Sequence, residues 1–184
     1  GVVPRFPVPY STITTRRATL RFYLGDCVEV LAALPAGSID IAVTSPPYNL
    51  GINYRTYDDA MPRAQYLEWT GTWVQRLAEA LGPTASLFLN VGAKPTDPWT
   101  ALDVAQAARP HLQLQNTIHW IKSIAIEKAA AGVNSGLAAD LAIGHYKPIN
   151  SKRFLNDCHE FIFHFTPLGQ TPLDRLAFGV RCQD

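Results

Sequence analysis

Residues 39–51 read Ile-Asp-Ile-Ala-Val-Thr-Ser-Pro-Pro-Tyr-Asn-Leu-Gly. The stretch begins as a short apolar run, which is typical of a buried strand, and ends at the rigid turn Ser45-Pro46-Pro47-Tyr48. Tandem prolines remove two backbone donors and fix φ, so the carbonyl oxygens there have no competing N–H groups beside them. Tyr48 adds a flat ring for stacking. Because open α/β sheets bind ligands at the carboxyl ends of their strands, the stretch predicts a pocket for a planar group that carries an amine.

The composition indicates a single globular domain with a substantial core. The chain has 184 residues, of which 47% are hydrophobic and 17% are charged. It contains no apolar run long enough to span a membrane, and no signal segment is recognised at its start. Its three cysteines, Cys27, Cys158 and Cys182, are widely spaced, which favours reduced thiols in a cytoplasmic protein over a disulfide framework or a zinc site. With a net charge of +1, any basic surface for nucleic acid must come from local clusters.

Strand and helix patterns alternate from residue 20 onward, which indicates an α/β domain with a mostly parallel sheet. Apolar runs predict strands over Leu20–Leu24, Ile39–Thr44, Ala85–Val91, Leu112–Ile121 and Glu160–Phe165. Apolar residues at helical spacing predict helices over Cys27–Leu34, Tyr66–Leu81 (closed by Gly82-Pro83) and Trp99–Ala108 (stopped by Pro110).

Two segments show little period. Residues 1–19 are rich in proline, threonine and arginine, and they are predicted to form an extended N-terminal arm. Residues 122–157 combine glycines, small residues and basic residues, with a short helix predicted near Ala125–Ala131.

The Ser45-Pro46-Pro47-Tyr48 loop resembles the catalytic loop of the DNA methylase N-4/N-6 family, the amino-methylating DNA methyltransferases. The resemblance extends roughly from Leu20 to Thr166, and the order of segments is similar to the permuted subgroup in which the catalytic loop precedes the cofactor loop. It implies a partial class I (Rossmann-like) S-adenosylmethionine methyltransferase sheet, mostly parallel, with helices on both faces. It also implies S-adenosyl-L-methionine as methyl donor and a base flipped out of double-stranded DNA as acceptor. Residues 20–184 are then the catalytic and recognition part, with a recognition loop at about 122–157.

The chemistry of an exocyclic amine explains the use of these residue types. Its lone pair is delocalised into the base ring, so the nitrogen is a poor nucleophile. If the Ser45 oxygen and the Pro46 carbonyl each accept one N–H, the nitrogen is drawn toward tetrahedral geometry and its lone pair turns toward the incoming methyl group. Pro47 keeps the turn rigid, and Tyr48 is expected to stack on the flipped base. The alternative interpretation is a strand-terminating turn with a packed tyrosine.

Cofactor contacts are implied by the resemblance at Asp26 and Cys27, which follow the first predicted strand. Asp26 is expected to accept a hydrogen bond from the exocyclic amine of the cofactor's adenine, with the backbone N–H of Cys27 near the ring. The structural alternative, which is compatible with this role, is that Asp26 caps the helix that begins at Cys27.

DNA contacts are predicted at Asn49 in the catalytic loop and in the basic, aromatic-rich cluster at residues 145–154. In that cluster Lys147, Lys152 and Arg153 are candidates for phosphate contacts, and Asn150 is a candidate for base or phosphate contacts. The alternative is an ordinary solvated loop.

Two groups of side chains have less specific signals. His119, Trp120 and Lys122 end a predicted strand; they either form a wall of the active site or place a histidine and a tryptophan in the core. His159, Glu160 and His164 do not have the H-E-x-x-H spacing of a zinc site, and no metal site is predicted.

The Phe-x-Gly-x-Gly loop that binds the cofactor in the resembling family has no match in this sequence. We therefore expect a missing C-terminal segment or a second chain to supply that loop, and the isolated chain to be inactive. Serine at the first loop position favours methylation of cytosine N4; adenine N6 is the runner-up, and a catalytically inactive DNA-binding remnant is the rival from another class. The resemblance also implies a prokaryotic restriction–modification system and a nucleoid-associated cytoplasmic protein.

Overall fold

In the computed structural model, strands and helices alternate along the chain as the sequence predicts. The structure describes residues 6–49, 51, 59–122, 124–131, 133, 135–143, 151–155, 158–174 and 177. Its strands are β1 (Ser11–Thr14), β2 (Thr19–Phe22), β3 (Ile39–Thr44), β4 (Leu81–Val91), β5 (Gln113–Ile121), β6 (Ile124–Ile126), β7 (Leu141–Ile143) and β8 (His159–Thr166). Its helices are α1 (Cys27–Ala33), α2 (Arg63–Ala80), α3 (Thr100–Ala108) and α4 (Lys128–Ala131). None of the described helices is long and apolar enough to cross a lipid bilayer.

The main sheet has four strands in the order β3-β4-β8-β5. β3 and β4 are parallel neighbours, and β8 runs antiparallel to both β4 and β5. Three of the four strands therefore point the same way, with β8 inserted between two of them. The carboxyl ends of β3, β4 and β5 consequently meet at one edge of the sheet, together with the beginning of β8.

One face of this sheet forms the core. On β4 the alternate residues Leu87, Leu89 and Val91 are fully buried, as expected for the inward face of a strand. They form one apolar cluster with α2 and α3, to which Phe163 and Phe165 of β8 also belong. α2 packs against α1 on one side and α3 on the other, so the three helices make one layer.

The opposite face of the sheet is open. Ile41 and Val43 of β3 are 66% and 76% exposed, and Ile118 and Trp120 of β5 are 40% and 49% exposed. None of these four residues belongs to the apolar cluster. The resemblance implies helices on both faces of the sheet. α1, α2 and α3 all lie on the first face, so none of them covers the second.

Three local predictions need correction. Residues 11–14 do not belong to a free arm, because β1 and β2 form an antiparallel hairpin closed by Thr15, whose hydroxyl accepts from Ala18 N–H at 3.0 Å. Gly82-Pro83 does not separate the second helix from the next strand. Instead α2 ends at Ala80 and β4 begins at Leu81, with a register irregularity opposite Ile39 to Ile41.

The third correction concerns the helix predicted near Ala125–Ala131. β6 occupies residues 124–126 and pairs antiparallel with β7, so only Lys128–Ala131 is helical. Ile124 and Ile126 are β-branched and fit a strand better than a helix, and the alanines that follow favour the short helix.

Candidate active site

The tetrad Ser45 to Tyr48 directly follows β3, at the edge where the parallel strands end. Ser45 is exposed, and the next three residues are half-buried. Tyr66, buried on α2, donates its hydroxyl proton to the carbonyl oxygen of Pro47 at 2.7 Å. Within the described part of the chain, no donor bonds the carbonyl of Pro46. The hydrogen bond from Tyr66 therefore anchors the turn at Pro47, and no described donor occupies the carbonyl oxygen of Pro46.

A hydrogen-bonded cluster joins this loop to the rest of the sheet. Tyr48 Oη lies 2.8 Å from Ser45 Oγ, 3.2 Å from Asn90 Oδ1 and 3.4 Å from Glu160 Oε2. Asn90 Nδ2 in turn donates to Glu160 Oε2 at 3.1 Å. Sequence reasoning missed Asn90 and treated Glu160 only as a poor metal candidate. The available signal was that both polar residues lie in otherwise apolar strands, near the same edge as the tetrad.

Lys122 completes the cluster at the surface. Its Nζ lies 2.5 Å from Glu160 Oε1 and 5.0 Å from the centre of the Trp120 ring. His119 and Trp120 are exposed, so the interpretation of these residues as core side chains is wrong. Lys122 and Trp120 instead stand beside the carboxylate that contacts Tyr48.

The environment shifts the pKa of two groups in the cluster. Burial by itself raises the pKa of Glu160, but the hydrogen bonds and charge of Lys122, with further hydrogen bonds from Asn90 and Tyr48, outweigh it and lower that pKa overall. Burial, followed by the negative charge of Glu160, raises the pKa of Tyr48. Near neutral pH the site therefore holds a carboxylate next to a protonated phenol.

Gly92 provides the space that Tyr48 occupies. A Cβ atom at Gly92 would lie 2.9 Å from Tyr48 Cε2 and 3.2 Å from Cδ2, closer than unbonded carbons approach. The aromatic ring thus rests against the bare backbone just beyond β4, and the absence of a side chain there sets its position.

Asp26 and Cys27 lie at the beginning of α1. Asp26 Oδ1 accepts from Val28 N–H at 2.8 Å, so the helix-capping role is confirmed, and the contact to a cofactor stays a prediction. Partial burial and the adjacent charge of Asp26 raise the pKa of the Cys27 thiol. A groove of about 720 Å³ is lined by Gly25 and Cys27 at one place and by Ser45 and Pro46 at another, so it connects the two predicted sites.

Asn49 is held within the protein. It has a positive φ of 56°, a conformation that asparagine tolerates better than most residues. Its backbone N–H donates to the buried carboxylate of Asp59 at 3.0 Å, and its Nδ2 donates to the Met61 carbonyl at 2.8 Å. These bonds shape the loop after Tyr48. Contact between Asn49 and DNA stays a prediction; Oδ1 is buried, and Nδ2 has one proton beyond the one bonded to Met61.

The remaining predicted DNA contacts are only partly described. Lys152 and Arg153 are exposed, and the Arg153 guanidinium lies 5.1 Å from the centre of the Phe154 ring. Lys147 and Asn150 lie outside the described residues. Among the described residues no group of histidine, cysteine or carboxylate side chains could hold a metal ion.

The chain belongs to the DNA methylase family, whose sequence profile matches residues 39–181, more than half of its length. Among curated relatives, the Methanocaldococcus jannaschii type II methyltransferase M.MjaVI is 47% identical over 58 residues, which cover 32% of this chain and 30% of that protein. The Streptomyces caespitosus type II methyltransferase M.ScaI is 37% identical over 73 residues, which cover 40% of this chain and 23% of that protein.

Solved structures agree with the fold. The PvuII DNA methyltransferase, which is cytosine-N4-specific, matches with a TM-score of 0.52 and 15% identity over 81% of this chain and 49% of its own. A Thermus thermophilus protein, assigned as a DNA modification methylase and solved with S-adenosyl-L-methionine, gives 0.52 and 20% over 82% of this chain and 57% of its own. The partial class I α/β fold is thereby confirmed. The chain spans about half the length of these neighbours and less than a third of the two curated relatives.

Proposed function

We propose that this chain carries the base-methylating site of a DNA methyltransferase that transfers a methyl group from S-adenosyl-L-methionine to cytosine N4. The observation that supports this most is the end of β3, where Ser45 Oγ and the Pro46 carbonyl, which accepts from no described donor, lie on a turn anchored by Tyr66. Serine in the first loop position favours cytosine, and a cytosine-N4-specific enzyme is among the proteins that share the fold.

The residues of the site act by orientation and by hydrogen bonding. Ser45 Oγ and the Pro46 carbonyl each accept one N–H of the target amine, which localises the nitrogen lone pair for attack. The ring of Tyr48, seated on Gly92, offers a stacking surface to the extruded base. S-adenosyl-L-methionine, when bound, would supply an electrophilic methyl group: its sulfur would keep the electron pair of the broken S–C bond, and the amine nitrogen would release one proton to water as the new N–C bond forms.

The residues present fit the two ends of this donor. The groove lined by Cys27 and by Ser45 supports this proposal, because a donor that lies along it would reach both the proposed adenine contact and the proposed position of the target amine. Backbone donors for the methionine part are not apparent in the sequence. We therefore also propose that a further segment or a second chain supplies them, and that the complete enzyme works on DNA in a prokaryotic cytoplasm as part of a restriction–modification system.

The product of the reaction tests the main proposal. DNA methylated by a complete enzyme that contains this chain, and then digested to nucleosides, is expected to contain N4-methylcytosine by mass spectrometry. Ser45→Ala should reduce transfer about a hundredfold with little effect on DNA binding, because its hydrogen bond matters mainly in the transition state. Tyr48→Ala should also weaken DNA binding, since stacking on a base contributes roughly 1–3 kcal/mol. If N6-methyladenine is the only methylated product, cytosine N4 is the wrong target, but the assignment as a DNA methyltransferase stands.

A second candidate is a DNA-binding remnant without activity, since residues 1–184 contain no Phe-x-Gly-x-Gly motif of their own. Cofactor binding separates the two. Asp26→Ser keeps a good helix cap on α1 but is too short to reach an adenine amine. In a complete enzyme that contains this chain, we expect titration calorimetry to show at least tenfold weaker S-adenosyl-L-methionine binding for this variant, equivalent to about 1.4 kcal/mol, with an unchanged melting temperature. Unchanged affinity would show that Asp26 does not contact the cofactor. A protein that binds DNA equally well with and without the cofactor would instead be the inactive DNA-binding remnant.

A further inference from the structure

The hydroxyl of Tyr48 has three oxygen neighbours but only one proton. Ser45 Oγ lies 2.8 Å away, Asn90 Oδ1 3.2 Å away and Glu160 Oε2 3.4 Å away. A phenol donates one hydrogen bond and accepts others through its lone pairs. The direction of the bond between Ser45 and Tyr48 therefore depends on whether the other two neighbours donate or accept.

The side-chain amide of Asn90 is fixed by its own partners. Its Nδ2 donates to Glu160 Oε2 and to the carbonyl oxygen of Phe161, each at 3.1 Å. Turning the amide over would place its carbonyl oxygen against two acceptors, a carboxylate and a backbone carbonyl. Oδ1 is therefore the atom that faces Tyr48, and an amide oxygen only accepts.

Glu160 is the second acceptor. Its side chain is 18% exposed, Lys122 Nζ lies 2.5 Å from Oε1, and Asn90 donates to Oε2. These contacts favour the ionised carboxylate, which has no proton to give. Since both neighbours on this side accept, the Tyr48 proton points toward them. Ser45 must then donate its own proton to Tyr48 Oη, which leaves the Ser45 lone pairs free.

We propose that Glu160 is a positioning residue of this site: together with Asn90 it orients the Ser45–Tyr48 hydroxyl pair so that Ser45 presents lone pairs to the target amine. The inference rests on the proposed function, because it gives a reason why a hydroxyl can act as an acceptor there. In the opposite orientation Tyr48 would donate to Ser45 Oγ and occupy one of its two lone pairs, and the Ser45 proton, no longer held by Tyr48, would be free to turn toward the target amine.

Glu160→Gln tests the orientation without a large change of shape. A glutamine that keeps its oxygen on Lys122 turns its amide nitrogen toward Tyr48 Oη and Asn90 Nδ2, so that a donor replaces one of the two acceptors that hold the Tyr48 proton. Lys122→Met is the complementary variant, and its side chain is 46% exposed, so folding does not depend on it. Glu68→Gln removes a carboxylate from the exposed side of α2 and serves as the matched control.

The first readout is the pKa of Tyr48, followed by NMR of protein labelled with 13Cζ-tyrosine, in which Tyr48→Phe identifies the resonance. We expect Glu160→Gln to lower this pKa, because a nearby negative charge and an acceptor are lost. Lys122→Met should raise it, because a nearby positive charge is lost, and Glu68→Gln should leave it unchanged. A role of Glu160 in packing alone gives no such opposite shifts.

The second readout is methyl transfer to duplex DNA by the same variants. Glu160→Gln should lower kcat about tenfold or more, with KM for DNA changed less than about twofold, because Tyr48 keeps its ring and its stacking surface. Glu160→Asp, which retains the charge, should recover part of the loss.

The two readouts separate the two proposals. Unchanged or same-direction shifts of the Tyr48 pKa in Glu160→Gln and Lys122→Met would overturn the positioning role, whether or not any methyl transfer is seen. Normal kcat in Glu160→Gln would overturn it while the proposed function stands. If the unaltered protein transfers no methyl group but the opposite pKa shifts are found, the orientation is supported and the proposed function alone is in doubt. Should Glu160→Gln fail to fold, Lys122→Met decides.

Discussion

Gly92 is the position where a single added methyl group should disturb the site most. The ring of Tyr48 would meet that methyl at 2.9 Å, and it cannot swing away freely because its hydroxyl is bonded to Ser45, Asn90 and Glu160. We expect Gly92→Ala to lower kcat/KM for DNA methylation about tenfold to a hundredfold, since misplacement by about 1 Å has effects of this size.

Gly71 offers the matched control for this change. It lies within α2, and a Cβ atom there would come no closer than 3.8 Å to another atom outside its own helix turn, the Ala107 carbonyl oxygen. Gly71→Ala should therefore leave activity unchanged and stabilise the protein against urea by about 0.5–1 kcal/mol, because alanine loses less entropy in a helix. Equal activity in Gly92→Ala and Gly71→Ala would show that Tyr48 does not need its observed position.

The part of the site that is contiguous in sequence could be predicted, and the part assembled from distant strands could not. The tetrad of residues 45–48 can be recognised from four consecutive residues. Asn90 and Glu160 are 42 and 112 positions from Tyr48, and only the pairing of β4 with β8 brings them to it. No local pattern encodes that pairing, because cross-strand partners follow from the register of the whole sheet.

At the scale of elements, apolar periodicity located the main strands and helices to within a few residues. β3 has the predicted bounds, and α3 begins one residue later than predicted. Apolar periodicity does not reveal the direction of a strand. The apolar run of β8 is compatible with either direction, and in the structure β8 lies antiparallel between β4 and β5. The strand predicted at residues 20–24 overlaps β2, but β1 was missed, because an exposed, threonine-rich strand lacks an apolar face to signal it.

His164 makes the stability of β8 dependent on pH. It is fully buried, it stacks on Phe88 at 4.6 Å, and its Nε2 lies 2.9 Å from Ser86 Oγ. Asn116 Nδ2 lies 3.0 Å from Nδ1 and can only donate, so Nδ1 is unprotonated and the ring is neutral. Burial lowers the pKa of His164 below its ordinary value of about 6.5.

Because the folded pKa is lowered, the unfolded chain binds a proton more readily than the folded one. The stabilising effect of a neutral His164 is therefore complete above about pH 6.5 and is lost as the pH falls toward the folded pKa. Urea unfolding at pH 7.5 and 5.5 should show lower stability at the acidic pH. His164→Gln should remove most of that difference, whereas His119→Gln, at an exposed position of β5, should keep it. An identical pH response in all three proteins would contradict a neutral buried His164.

At the scale of the molecule, one face of the sheet is covered by helices, whereas the other face is exposed. The face toward α2 and α3 is buried, while the opposite face and the outer edge of β3 carry exposed apolar side chains. In the described part of the chain β3 pairs only with β4, so its outer backbone groups have no strand partner. The Ser45 turn lies at the end of this same strand. The proposed reaction would therefore take place beside the exposed edge of the sheet.

An open edge with apolar neighbours should make the chain associate with itself. Unpaired strand edges add further strands readily, and exposed Ile41 and Val43 give such pairing an apolar contribution. We expect concentration-dependent oligomers in sedimentation velocity, and Val43→Lys should weaken the association at least tenfold, equivalent to about 1.4 kcal/mol, because a charge on the edge must be desolvated. Val133→Lys is the matched control, since Val133 is fully exposed but lies outside the sheet. Association that both lysine variants reduce equally would reflect net charge, and association that neither reduces would place the contact away from β3.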